Sequence, residues 1–361
     1  MAKRNRGGWS RRDVLKATGT AALAASLGGT AAAAKSTTIR WGIVGTGYIA
    51  NSMAPRIAEA ANAELQAVSS RSVERAQAFA DRYTVPVAFG SWQEMLRSEE
   101  VDAIYIATPT SVREEIGVAA AEHGKHVLGE KPFASLASLQ RIVAACREHG
   151  VGFMDATHFS HHPRTEAIRA EIRDRLQQAS LIESAFQFPL SDTKNIRLDP
   201  DLEPLGAIGD VGWYNMRALA EYVSPDASVT SVAVHARRHA ETGAVVFAAG
   251  LVVFSDGTAS TFACGFDCNA FNADMRIAGP GGELTVDDFP GHEPDGSAVY
   301  TAGTPGKGNK EDITVPATGA AATQMFEDFA AMTGSQALFE KSVAISERTQ
   351  AWLDLVWEAA S

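Results

Sequence analysis

The sequence predicts a two-part chain. The first part is an α/β domain with a parallel, doubly wound sheet, and the second is an α+β domain with a largely antiparallel open sheet. Three observations carry that prediction. Apolar strands alternate with helices from Thr38 to about residue 157. The first strand ends in the turn G-T-G-Y-I-A, Gly45–Ala50, directly before a helix. Past Pro163 the alternation stops and strands follow one another through tight turns. The 361 residues are too many for one small core and suffice for two.

The elements read in order. IRWGIV (39–44) is a strand, and a helix runs from Tyr48. ELQAVSS (64–70) is a second strand, with a helix over SVERAQAFADRY. VDAIYIAT (101–108) is a continuous apolar run, as a strand buried on both faces requires. SVREEIGVAAAEHG (111–124) is an amphipathic helix, HVLGEKP (126–132) a strand entering a loop, SLQRIVAACREHG a helix and VGFMDA (151–156) a strand. In the second part, TEAIRAEIRDRL is a helix, LIESAFQFPL a strand, and another helix carries Asp210. Strands are expected at 229–238, 245–254, 258–266, 273–279 and 282–287, with SDGT (255–258) as a hairpin turn. Residues 289–312, rich in Gly, Pro and charge, read as loops, and two helices close the chain. The expected divisions are 1–34, 35–157 and 158–361.

Residues 1–34 have the layout of an export signal. Lys3, Arg4, Arg6, Arg11 and Arg12 precede a run of Ala, Gly, Thr, Ser and Leu that ends in small residues. SRRDVLK (Ser10–Lys16) resembles the twin-arginine consensus, which implies passage of a folded protein through the twin-arginine translocase to the periplasm or beyond. The run is too weakly apolar to remain as a membrane span. The net charge is −11, and the leader holds six basic residues and one acid, so the chain beyond it is more acidic still. That balance excludes nucleic acid as the main partner, because phosphate binding needs a basic face. Cys146, Cys264 and Cys268 match no zinc pattern and read as buried thiols.

The turn at Gly45–Ala50 is a dinucleotide fingerprint in its proper strand–turn–helix context. Gly45 permits the tight turn, Gly47 lets backbone approach a pyrophosphate, and Ala50 allows close helix–strand packing. The first part is therefore expected to be a Rossmann dinucleotide-binding domain. At the end of the second strand, NAD sites place a carboxylate for the ribose hydroxyls. Here Ser70, Arg71 and Ser72 stand instead, with Arg75 one turn on. Guanidinium and hydroxyl donors suit a 2′-phosphate, so NADP is expected over NAD.

GIVGTGYIA, VSSRS, IATPTSVREE, GKHVLGEKP and GAIGDVGWYNMRAL resemble the Gfo/Idh/MocA oxidoreductases, named for glucose–fructose oxidoreductase and inositol dehydrogenase. FMDATHFSHHPRTEAIR and NIRLDP are most similar to the branch of dimeric dihydrodiol dehydrogenase and NADP-dependent xylose dehydrogenase. The resemblance implies that Lys131, in Glu130–Lys131–Pro132, lies beside the nicotinamide and the substrate oxygen, and that Pro132 follows a cis peptide. It implies Tyr214 as the proton donor or acceptor. Asp210 is expected to position a substrate hydroxyl from the same helix face, four residues away. A tyrosine titrates near ~10, so Lys131 is expected to supply the cation it needs. Thr46, Tyr48, Ile49, Thr108, Pro109 and Glu130 complete the expected cofactor lining.

His158, His161 and His162 fall within five residues. No carboxylate or cysteine completes a ligand set and the family needs no metal, so no metal is expected. Substrate-pocket, interdomain and packing roles stay open for His158 and His161, and Asp155 is placed in the same pocket. Two departures stand out. Many relatives carry Asn and His where this chain has Thr110 and Arg113, and the glycine-rich run before Asp210 is altered to EPLGAIGD. The expected function is hydride exchange between a tightly held NADP and a sugar, polyol or related carbinol or carbonyl, by a homodimer or homotetramer joined through the open sheet. An exported NAD-dependent glycoside hydrolase and a non-catalytic nucleotide- or sugar-binding protein are the alternatives.

Overall fold

Six parallel strands form the first sheet: β1 (Ile39–Val44), β2 (Ala63–Ser69), β3 (Val87–Phe89), β4 (Ala103–Ile106), β5 (His126–Gly129) and β6 (Phe153–Asp155). Their order is β3-β2-β1-β4-β5-β6. The computed structural model describes residues 38–291, 296–306, 308 and 310–361. The expected export signal at 1–34 lies outside the described residues. All four residues of β4 are buried, as a central strand covered on both faces demands. Helices α1 (Tyr48–Glu59), α2 (Val73–Tyr83), α3 (Trp92–Leu96), α4 (Arg113–Glu122) and α5 (Leu136–His149) connect the strands. Ser72, Ser91 and Ser135 cap α2, α3 and α5 by accepting from backbone N–H groups of the first turn. The strand order reverses between β1 and β4, which opens a crevice at their carboxyl ends.

After α6 (Pro163–Glu171) comes β7 (Leu181–Gln187). Then follow α7 (Gly206–Asp210), α8 (Gly212–Tyr222), β8 (Val229–Arg238), β9 (Val245–Phe254), β10 (Ala259–Gly265), β11 (Met275–Gly279) and β12 (Gly282–Val286). The chain continues through β13 (Ala298–Gly303) and β14 (Lys310–Val315) to α9 (Ala321–Thr333) and α10 (Gln336–Ala359). The eight strands run in the order β14-β13-β12-β11-β7-β10-β9-β8. Only the β7–β10 pair is parallel among those described. One face packs on α6, α7, α8 and α10. The other carries a shallow groove of about 430 Å³ lined by Glu183, Ala185, Thr261, Ala263, Arg276 and Thr285.

Three expectations need correction. Residues 289–312 are not all loop. Ala298, Tyr300 and Ala302 of β13 are buried while Val299 is exposed, a period-two signal hidden between Gly- and Pro-rich flanks. Strand β14 is a charged, exposed edge, with Lys310, Glu311 and Asp312 leading it. Second, Asp210 and Tyr214 do not share one continuous helix, because α7 ends at Asp210 and α8 begins at Gly212. Third, Cys268 lies beyond β10 and is only half-buried, whereas Cys146 and Cys264 are buried; all three are free thiols.

Late in the chain, α9 returns to the first sheet. Its Phe326 and Phe329 pack on Trp41 of β1 at ring-centroid distances of 5.0 and 4.7 Å. No helix of the described residues is long and apolar enough to cross a membrane.

Candidate active site

The crevice between β1 and β4 is built for close backbone approach. Gly45 has φ +104°, and a Cβ there would lie 2.7 Å from the Ala107 carbonyl oxygen, so only glycine fits. Gly47 caps α1 with no side-chain hydrogen bond, and nothing lies within 4 Å of where its Cβ would be. The first N–H groups of α1, from Tyr48 and Ile49, thus open onto the crevice uncapped, as an anion site requires. Tyr48 stands 84% exposed over that opening. Ala50 is fully buried, which matches its packing role. Thr46 Oγ1 and Ser70 Oγ share a hydrogen bond of 3.3 Å, tying the first loop to the end of β2. Arg71 and Arg75 are exposed and pair with no acid among the described residues. Thr108 Oγ1 is buried without a hydrogen-bond partner, beside Pro109 at the mouth of β4. An uncapped helix end, free guanidinium groups and an unpartnered hydroxyl fit a phosphorylated dinucleotide.

At the end of β5, the Lys131–Pro132 peptide is cis. Lys131 is nearly buried, and its Nζ donates to the Asp210 carbonyl oxygen at 2.6 Å and to Asp210 Oδ1 at 2.8 Å. The same ammonium lies over the Tyr214 ring, 4.8 Å from its centroid. Gly209 makes this approach possible, since a Cβ there would meet the Pro132 ring at 3.0 Å and Leu205 at 2.6 Å. The break at Val211 does not separate the pair: Lys131 reaches Asp210 at the end of α7 and Tyr214 in the first turn of α8. Burial disfavours ionisation of Asp210, yet the charges of Lys131 and Arg197 hold its carboxyl well below the usual carboxylate range. Burial, then the charges of Glu130 and Asp210, push the Tyr214 hydroxyl well above its ordinary value. Tyr214 thus rests above neutral titration, with the Lys131 ammonium held over its ring as the cationic neighbour. Glu130 is itself buried, and burial raises its carboxyl; Tyr105 Oη donates to it at 2.5 Å, and the Lys131 N–H at 3.2 Å.

Two of the three expected pocket residues sit elsewhere. His161 Nδ1 lies 2.7 Å from Asp328 on α9, so it faces the first sheet's outer layer. Asp155 is 1% exposed and accepts from Arg217 Nη1 at 2.6 Å, from the Thr157 N–H at 3.0 Å and from Ser346 Oγ. Its carboxylate is consumed by the salt bridge that anchors α8 to β6 and α10, not by a pocket. His158 does approach the site, with its ring 6.0 Å from that of Tyr214. His162 is buried, its Nε2 2.7 Å from the Gly296 carbonyl oxygen. Among the described residues, no group of three or more His, Cys, Asp or Glu is placed to hold a metal ion.

Other residues were missed from the sequence. Arg197 Nε donates to Asp210 Oδ2 at 2.6 Å, making Asp210 a carboxylate between two cations. The only signal was its place in NIRLDP, 13 residues before Asp210. Arg113 is buried beneath both loops, with Nε and Nη2 on the Thr108 carbonyl oxygen at 3.0 and 2.8 Å and Nη1 on that of Pro132. An aromatic wall also flanks Tyr214: Phe186 meets it edge-on at 5.1 Å, and Phe271, 59% exposed, continues it at 6.0 Å from Phe186.

Comparison with known proteins agrees with this geometry. Residues 39–157 match the Gfo/Idh/MocA oxidoreductase family, NAD-binding Rossmann fold. The chain is 30% identical over 270 residues to D-xylose 1-dehydrogenase (NADP⁺) 2 of Haloferax volcanii, covering 74% of this chain and 81% of that protein. It is 29% identical over 238 residues to mouse trans-1,2-dihydrobenzene-1,2-diol dehydrogenase, covering 65% and 70%. A 3-ketoreductase from Actinomadura kijaniata, solved with NADP and TDP-benzene, superposes with a TM-score of 0.81 at 23% identity, covering 90% of this chain and 98% of that one. With the fingerprint crevice, the Glu130–Lys131–Pro132 loop and Asp210 in one site, this chain belongs to the Gfo/Idh/MocA family of oxidoreductases.

Proposed function

We propose that the protein is an NADP-dependent oxidoreductase acting on a carbinol or carbonyl carbon of a sugar, polyol or related ring. The observation that carries this is the triad of Lys131, Asp210 and Tyr214 at the end of β5, two strands from the uncapped end of α1. When bound, the nicotinamide gives or takes the hydride. The Tyr48 and Ile49 amides would hold the pyrophosphate, and Ser70, Arg71 and Arg75 the 2′-phosphate. A relative that acts on D-xylose with NADP⁺ supports the sugar class and the cofactor.

The residues' own part follows from their charge. Tyr214 rests as a neutral phenol, so in reduction it is the ready proton donor to the carbonyl oxygen as negative charge develops there. In oxidation the carbinol O–H proton must pass to a deprotonated Tyr214, while the hydride leaves the carbon. Lys131 keeps one N–H beyond those given to Asp210 and turns it to the reacting oxygen, stabilising alkoxide character. Asp210, held ionised, accepts from a neighbouring substrate hydroxyl.

The twin-arginine leader makes this an exported enzyme, assembled as a homodimer or homotetramer through the uncovered sheet face. Free NADP is expected to be scarce there, so the cofactor is kept and cycled between two substrates. The experiment is to purify the exported protein, denature it and assay the supernatant for both nucleotides. NADP(H) near one per chain is the expected result, with D-xylose the first substrate tried. NAD(H) with release of a chromogenic aglycone and no net redox change would favour glycoside hydrolysis instead.

A further inference from the structure

The two places where this chain departs from the family pattern meet in space. Thr110 Oγ1 donates to Glu203 Oε2 at 2.6 Å, and the Thr110 N–H donates to Glu203 Oε1 at 3.2 Å. The next N–H, of Ser111, donates to the Leu202 carbonyl oxygen at 3.1 Å. Arg113 Nη1 donates to Thr110 Oγ1 at 2.9 Å from below. That bond occupies an acceptor site of the hydroxyl, so the hydroxyl proton is directed at Glu203. Thr110 is 2% exposed and Arg113 6%, and a hydroxyl bonded to a carboxylate is a charge-assisted hydrogen bond.

We propose that Thr110, Arg113 and Glu203 form a latch across the dinucleotide crevice and set the residence time of bound NADP, an inference that rests on the NADP reading above. The loop 107–112 is a wall of the crevice, since Ala107 closes against Gly45. Segment 196–210 is a strap closed at its ends, where Arg197 donates to Asp210, and fixed to the site by Lys131, which donates to the same Asp210. Its middle, Leu202 and Glu203, is fixed to the crevice wall. Gly45, Thr108 and Lys131 stand at the ends of β1, β4 and β5, so a dinucleotide reaching from α1 to Lys131 must run past that wall. Arg113 ties the wall to the Pro132 carbonyl oxygen, so wall, Lys131 loop and strap move as one body while the latch holds. Cofactor exit then requires the Thr110–Glu203 and Ser111–Leu202 bonds to break together. Such a device suits an enzyme that retains its cofactor between two half-reactions.

The test is the release of NADPH from the purified holoprotein, chased with excess NADP⁺ and followed by nicotinamide fluorescence. Glu203→Gln and Thr110→Val are expected to release at least about tenfold faster, and Thr110→Ser, which keeps the hydroxyl, to restore slow release. In nucleotide-free protein, the Thr110 and Ser111 amides are expected to exchange hydrogen slowly in the wild type and quickly in Glu203→Gln. Release rates equal within twofold, or free exchange of those amides in the wild type, overturn the latch. Binding of NADH rather than NADPH overturns the NADP assignment alone, because the same chase with NADH still reads the latch. Binding of neither overturns both.

Discussion

Asp210 is the residue on which the site turns. Its side chain is mostly enclosed, 17% exposed, and a carboxyl so enclosed stays ionised only when cations compensate the lost hydration. Lys131 and Arg197 do so from either side, on Oδ1 at 2.8 Å and Oδ2 at 2.6 Å. Arg197 also lowers the Tyr214 hydroxyl, opposing burial and the charges of Glu130 and Asp210. With Tyr214 raised overall, the rate of substrate oxidation should climb with pH through the neutral range, while reduction stays flat until the phenol ionises. Replacing Arg197 by Gln removes a charge that favours the phenolate. The alkaline limb of the oxidation profile should then move to higher pH, with kcat at neutral pH falling on the order of 10- to 100-fold. A fall in kcat with an unmoved limb would make Arg197 a packing residue only. Lys131→Ala is expected to cost more, since it also strips the donor from the reacting oxygen.

Helix α8 shows how an element is held so that one side chain can work. Tyr214 points to Lys131, while Arg217, three residues on, is buried in a network behind it. Arg217 donates to Asp155 at 2.6 Å and to Glu221 at 2.8 Å, and Glu221 also receives Arg169. Trp213 Nε1 donates to Thr157 Oγ1 at 2.7 Å, and Thr157 in turn donates to Asp155. Asp155→Asn leaves part of a buried cation uncompensated and should destabilise the fold by roughly 3 kcal/mol. Differential scanning calorimetry should show that as a Tm lowered by about 10 °C or less. Burial raises and Arg217 lowers the Asp155 carboxyl, with a net depression. Its stabilisation is therefore complete above the ordinary carboxylate range and lost as pH falls below about 4. The variant should show a shallower acid limb, and an identical limb would remove Asp155 as its source. This network also marks the boundary of what the sequence could show. Strands β1, β8 and β9 were legible because their apolar patterns start and stop cleanly. Strand β3, with three residues, and α3, with five, offered too short a period. Asp155 was legible as an acid near three histidines, but its partner lies 62 residues away in sequence. The E-K-P loop and the Asp210–Tyr214 run were legible as local patterns. Arg197 and the Thr110–Glu203 contact were not, because each depends on which loops the sheet order brings together.

At the scale of the whole molecule, the crevice, the catalytic cluster and the latch all fall within residues 36–361, which form one compact unit. Trp41 of β1 packs on α9, near the end of the chain, so the first sheet's core is complete only when nearly all of the chain has been made. Dinucleotide affinity is thus expected to arise after synthesis of the second part, not during that of the first. On the proposed twin-arginine route, which carries folded protein, loading would precede passage. Binding to the folded state alone also stabilises it by mass action, by about 2.7 kcal/mol when free nucleotide is 100-fold above Kd. Two variants test the coupling. Replacing Arg11 and Arg12 by Lys should leave the protein in the cytoplasm with its leader uncleaved and its NADP bound. Gly45→Ala forces a Cβ against the Ala107 carbonyl oxygen in a backbone conformation that L residues avoid, so cofactor should be lost. If folding around the cofactor is what the route accepts, the exported fraction of Gly45→Ala falls well below that of Asp210→Asn, which spares the crevice. Equal export of the two, with wild-type protein emerging free of nucleotide, would show that loading and export are independent and would remove the basis for a cofactor cycled in place.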